Sequence, residues 1–167
     1  MKRIVQYYVE GDDEKHLLSV LKGDLKTIVP GKVQRLNVVD QEISDAMIRA
    51  YKENTFVVLV FDTDTDNVDI LNKNINKLKS CKYVSAIITI PQVLNLEDEL
   101  VRSCNIKHAT ELLNSRSGAD FKRDLIRITN LSAKLIEHNF DINKFWNTKP
   151  HSPYQNIENL ARIIKLK

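Results

Sequence analysis

Apolar and polar positions fall into regular blocks along the first hundred residues, and each block predicts one element. Arg3 to Val9 is β-branched and aromatic and stops at Glu10-Gly11, which predicts a strand. Asp12 or Asp13 then caps a helix with Leu17, Leu18 and Leu21 at helical spacing, ending near Gly23. A short strand is predicted from Val33 to Val39, and a helix from about Gln41 to Asn54 with Ile43, Met47 and Ile48 inward. Phe56-Val57-Val58-Leu59-Val60-Phe61 is apolar without alternation, as expected of a strand covered on both faces of a parallel sheet. It runs directly into Asp62-Thr63-Asp64-Thr65-Asp66. A helix through Ile70, Leu71, Ile75 and Leu78 follows, then a fourth strand from Val84 to Ile90, closed by Pro91.

This β-α-β-α-β-α-β order predicts an α/β fold, a Rossmann-like parallel sheet of about four strands with right-handed crossovers. From Leu96 onward the spacing predicts helices near 96–103, 108–114, 119–137 and 155–166. The 167 residues therefore read as a single domain, an α/β core over 1–100 with a mostly helical extension over 101–167.

Composition changes this picture only slightly. At 43% hydrophobic and 28% charged the chain is neither disordered nor unusually apolar. No apolar run approaches the roughly 20 residues that span a bilayer. An acid at position 10 interrupts the N-terminus before a signal-peptide apolar region could form, so the chain reads as cytoplasmic. Cys81 and Cys104 are too few for a disulfide framework and lack a CxxC spacing.

Charge is more informative. The net value is +3, yet residues 1–100 hold 13 Lys/Arg against 16 Asp/Glu, whereas residues 101–167 hold 12 against 6. The acidic half suits cations. The basic half is either a solvated surface or a surface for polyanions such as nucleic acid.

Ligands of open parallel sheets collect beyond the carboxyl ends of the strands. Glu10 and the Asp62/Asp64/Asp66 cluster lie there, after strands one and three. Closely packed carboxylates repel, and a hard divalent cation such as Mg²⁺ or Mn²⁺ relieves that repulsion. Asp66 either extends the cluster or caps the next helix. Rival acidic motifs fit less well. An EF-hand loop starting at Asp62 would need Gly at Asn67 and Glu at Lys73. No GxxxxGK[ST] is present. A phosphatase using Asp62 as nucleophile remains open, although that fold normally opens with the DxD strand, which here comes third.

Val9-Glu10-Gly11-Asp12-Asp13-Glu14-Lys15-His16-Leu17-Leu18 and Val58-Leu59-Val60-Phe61-Asp62-Thr63-Asp64-Thr65-Asp66 together resemble the toprim domain over roughly residues 3–100. That family covers topoisomerases, bacterial primases and the OLD-family nucleases. The resemblance implies Mg²⁺- or Mn²⁺-dependent phosphodiester chemistry, with Glu10 as general acid/base or metal ligand and Asp62 and Asp64 holding metal. Glu14, four residues after Glu10, matches a second metal-binding Glu of OLD-like enzymes.

Asn95-Leu96-Glu97-Asp98-Glu99-Leu100 is similar to the stretch that completes their second metal site, with Glu97 as ligand; otherwise it is an acidic helix start. OLD-like enzymes also use a downstream Lys, for which Lys122 is first choice and Arg116 and Arg123 are competitors. Two metals would stabilise both the attacking and the leaving oxygen of an in-line displacement. Whether one ion binds or two is left open.

These residues give the expected function: divalent-metal-dependent nucleic-acid hydrolysis, with DNA ahead of RNA as substrate. Arg116, Lys122, Arg123 and Arg127 are the cations expected to meet phosphates. The chain is too short to carry a topoisomerase tyrosine domain, and a primase would need a template-binding domain. The alternative is an effector or regulatory subunit of an anti-phage or DNA-repair system, working beside a separate ATPase. The histidines show no metal-ligand spacing, and His16 is expected to face solvent. Phe140, Phe145, Trp146 and Tyr154 are expected to form one hydrophobic cluster that ties down the tail.

Overall fold

The computed structural model describes residues 3–166. Four strands, β1 (Ile4–Val9), β2 (Lys32–Arg35), β3 (Thr55–Asp62) and β4 (Val84–Gln92), form one all-parallel sheet in the order β2-β1-β3-β4. The helices are α1 (Asp12–Gly23), α2 (Asp45–Arg49), α3 (Asp69–Lys79), α4 (Leu96–Ser103), α5 (Gly118–Arg127) and α6 (Leu131–Glu137). This is the expected Rossmann-like α/β architecture. Among the described residues, no helix is long and apolar enough to cross a membrane.

Alternation along the strands builds a core on each face. Tyr7 and Val9 of β1, Val58 and Val60 of β3, and Ile88 and Ile90 of β4 pack with α1, α5, α6 and the C-terminal segment. Tyr8, Val57, Leu59 and Phe61 pack on the opposite face with Val38, Ile43 and α3. Helix α1 therefore leaves β1 toward one face and α3 leaves β3 toward the other. Because β1 and β3 are adjacent, a crevice opens between their carboxyl ends, where such folds place their ligands. Glu10 and Asp62 flank it.

Gly31 fits the turn into β2 only because it lacks a side chain. A Cβ there would lie 2.5 Å from the Val5 carbonyl oxygen and 2.8 Å from the Tyr7 ring. Both neighbours belong to the central strand and cannot retreat. Gly31→Ala is expected to destabilise the fold by about 1–3 kcal/mol, read as a lower urea midpoint with unchanged slope.

Several elements end earlier than their spacing predicts. β2 stops at Arg35 rather than Val39, because Asn37 turns the chain: its Oδ1 accepts from Val39 N at 3.1 Å and its carbonyl accepts from Gln41 N at 2.8 Å. The helix expected over 41–54 is confined to Asp45–Arg49. Buried Asn74 captures the preceding backbone, accepting from Ile43 N and donating to the Val38 and Gln41 carbonyls. β4 continues through Pro91 to Gln92, since an edge strand tolerates a missing donor on its outer side.

In the second half, 108–114 forms only a 3₁₀ turn at Ala109–Leu112. The helix expected over 119–137 is two, α5 and α6, broken where Ile128 is extended and its carbonyl accepts from His16 Nε2 at 2.8 Å. His16 is thus half-buried and bonded rather than facing solvent. The helix expected over 155–166 is replaced by an irregular segment with a 3₁₀ turn at Ala161–Ile163. Its backbone bonds outward instead: Leu160 N donates to Thr89 O on the free edge of β4, and Leu166 N donates to Thr27 O. The aromatic residues do not form one cluster. Phe140 meets Phe145 edge-on and Phe145 lies tilted against Trp146 on the α1 face, whereas Tyr154 stacks on Phe61 on the opposite face.

Candidate metal centre

Three carboxylates converge in the crevice. Oxygens of Glu10, Glu14 and Asp62 lie within 4.8 Å of one another, close enough to face a single cation. The strand parity that points Val58 and Val60 toward α1 also points Asp62 there. Glu14 reaches the same place from the first turn of α1, whose start is fixed by Gly11 N donating to Glu14 Oε2 at 2.7 Å. Glu10, just past the end of β1, is the most solvent-accessible of the three.

Beneath the carboxylates sits Gln92, fully buried and paired in register with Asp62. Its Nε2 donates to Glu14 Oε1 and to Asp62 Oδ1, both at 2.7 Å, and its Oε1 accepts from Trp146 Nε1 at 3.0 Å. Trp146 is held in turn by Glu99, fully buried, whose Oε2 accepts from Trp146 N while Oε1 accepts from Val93 N, each at 3.0 Å. Arg102 neutralises Glu99 at 2.9 Å. The tail therefore braces the floor of the site.

Electrostatics follow from this crowding. Burial first, then the charges of Glu14 and Glu10, push the Asp62 carboxyl up to about 9 against the donor of Gln92. Burial raises Glu14 to about 7, opposed by the Gly11 N–H and aided by Asp13. Glu10 is raised by partial burial and then by Asp64 and Asp40, while Lys122 works the other way. Three oxygen-donor side chains that resist ionising together are a donor set matched to a hard divalent cation.

The expected partners divide by position. The cleft is lined by Glu10, Asp13, Glu14, Asp62, Glu97 and Lys122, with Ile126 at its rim. Lys122 Nζ lies 3.4 Å from Glu97 Oε1. Burial pulls the Lys122 ammonium down, but Glu97, Asp13 and Asp62 outweigh it and leave it above the ordinary lysine value. Asp64 and Asp66 are exposed and lie outside the three-carboxylate group; Asp64 acts on Glu10 and Asp62 through charge.

Of the arginines, Arg123 pairs with Asp120, Arg116 lines a small recess with Asp120 and Asp124, and Arg127 is exposed at the end of α5. Glu97, not Glu99, faces the cleft. Two contributors escaped the sequence reading, Gln92 and Trp146. For Gln92 the signal was parity, because it continues the inward series Ile88, Ile90 two residues on. For Trp146, 54 residues away, the sequence carries none. No family model matches this chain, nor does any curated protein or solved structure.

Proposed function

We propose that this protein is a nucleic-acid phosphodiester hydrolase of toprim or OLD-like type, dependent on Mg²⁺ or Mn²⁺. The observation that carries the proposal is the meeting of Glu10, Glu14 and Asp62 with Lys122 in one cleft, although the four come from β1, α1, β3 and α5. The motif resemblance around Glu10 and Asp62 accounts for three of them. Lys122, the first choice for the downstream Lys, adds to this, because no local pattern requires a helix residue 60 positions after Asp62 to arrive at the same place.

Glu14 and Asp62 would hold the cation, with Gln92 orienting both. Bound there, the cation would act as a Lewis acid toward a phosphoryl oxygen. Glu10, reachable by solvent and raised above its ordinary value by partial burial, takes the proton of the attacking water as the oxygen–phosphorus bond forms. Lys122 exchanges Glu97 for the negative charge that develops as the bond to the leaving oxygen breaks. Arg127 at the end of α5 and Arg116 ahead of it are the further cations offered to flanking phosphates, for which DNA is the first substrate to try.

The test is nicking of supercoiled plasmid with Mg²⁺ or Mn²⁺ against EDTA, beside Glu10→Gln. Cation-dependent nicking, reduced on the order of a hundredfold in the variant, is the expected result. Cation-induced stabilisation without nicking would retain the metal centre and direct the search to a partner such as a separate ATPase. Absence of both nicking and cation-induced stabilisation would overturn the proposal.

A further inference from the structure

A second cavity of about 570 Å³ lies under the C-terminal segment, and the carboxylate chemistry makes no use of it. Its lining includes Lys149, Arg162 and Lys165 against one acid, Glu158, for a formal balance of +2 (three cations minus one anion). Among the described residues none of these three cations pairs with a carboxylate, whereas seven other cations do. Lys165 is half-buried and fixed by donating to the Phe145 carbonyl. Asn147, Gln155 and Asn156 add amide groups that offer both donors and acceptors. Ile157 and Pro150 contribute apolar surface.

Unpaired cations, amide edges and apolar walls in a cavity of this size match a ligand that joins a phosphate to a planar, hydrogen-bonding ring system. We propose that this cavity binds a nucleoside phosphate, its phosphate held by Lys149, Arg162 and Lys165 and its base met by the surrounding amides. Trp146 is one of the lining residues, and its indole donates to Gln92 beneath Glu14 and Asp62. Occupancy is therefore placed to bear on the carboxylate centre through two side chains. The ligand is either a free nucleotide or the phosphorylated end of a strand.

Trp146 is the only tryptophan of the chain, so its fluorescence reports on the cavity directly. ATP titrated in EDTA should give a saturable change. Lys149→Glu/Arg162→Glu should weaken it at least tenfold, and Asp62→Asn should leave it intact. Both cations are exposed; if the double reversal lowers the melting temperature, Lys149→Gln/Arg162→Gln serves instead. A 5′-phosphorylated oligonucleotide binding more tightly than ATP would identify a strand end, and the reverse a free nucleotide. No saturable change, equal binding by the charge variants, or binding lost in Asp62→Asn but kept in them would overturn the proposal. None of these outcomes bears on plasmid nicking, so the two proposals fail separately.

Discussion

Asp62→Asn is expected to lower cation-dependent cleavage by about two to three orders of magnitude while stabilising the cation-free protein at alkaline pH. The two effects share one cause. Asp62 titrates from 3.8 up to about 9 and Glu14 from 4.5 up to about 7 because ionising both in a buried crevice is unfavourable. Between about pH 4 and 9 the folded state therefore binds more protons than the unfolded state. Stability is greatest below the unfolded values and is lost as pH rises through the folded ones. Asn removes one ionisation, and its Oδ1 can still accept from Gln92.

A melting-temperature series from pH 5 to about 9 without cation should thus fall for the native protein and be flatter for the variant. Mn²⁺ competes with those protons, so its stabilisation should grow over the same window and vanish in Asp62→Asn. A variant whose melting temperature tracked the native protein at every pH, with and without Mn²⁺, would show that Asp62 holds no cation.

Gln92→Leu is expected to destabilise the fold by about 3 kcal/mol and to weaken cation binding roughly 10–100-fold. Leucine has a similar volume, so packing changes little. What it removes is one acceptor and two donor bonds at a fully buried position. Trp146 Nε1 is left without its acceptor, at a cost of about 1–3 kcal/mol, and both carboxylates lose the group that orients them. For a chain of this length that corresponds to a melting temperature lower by roughly 6–12 °C. Trp146→Phe separates the two roles: it spares the donation to Glu14 and Asp62, so cation affinity should suffer much less than stability. Equal loss of affinity in both variants would place the orientation of the carboxylates in the tail rather than in Gln92.

The buried polar chain also explains why the tail does not become the helix its spacing suggests. Leu160, Asn159 and Leu166 spend their donors on β4, on the loop after Trp146 and on Thr27. Phe145 and Trp146 fill the core beside α1. The same override splits the helix over 119–137, where the His16 bond to Ile128 outweighs a continuous apolar period. In each case long-range partners outweighed a helical preference of a few tenths of a kcal/mol per residue.

Local pattern alone determined the strand order in sequence, the parallel sheet, a helix directly after β1, and the placement of Glu10 and Asp62 at strand ends; the cap of that helix is Gly11 rather than Asp12 or Asp13. These features depend on periodicity and on turn residues within about ten positions, which a single chain displays directly. The closeness of Glu10 and Glu14 in the chain likewise carried their meeting, because only the Gly11 cap separates Glu10, just past the end of β1, from the first turn of α1. Only the tertiary structure decided that β1 and β3 are neighbours, that Lys122 and Glu97 close the cleft while Asp64 and Asp66 stay at its exposed margin, and that Gln92 and Trp146 form its floor. Those outcomes depend on which elements share a face and on where buried donors find acceptors, and neither is encoded within one element.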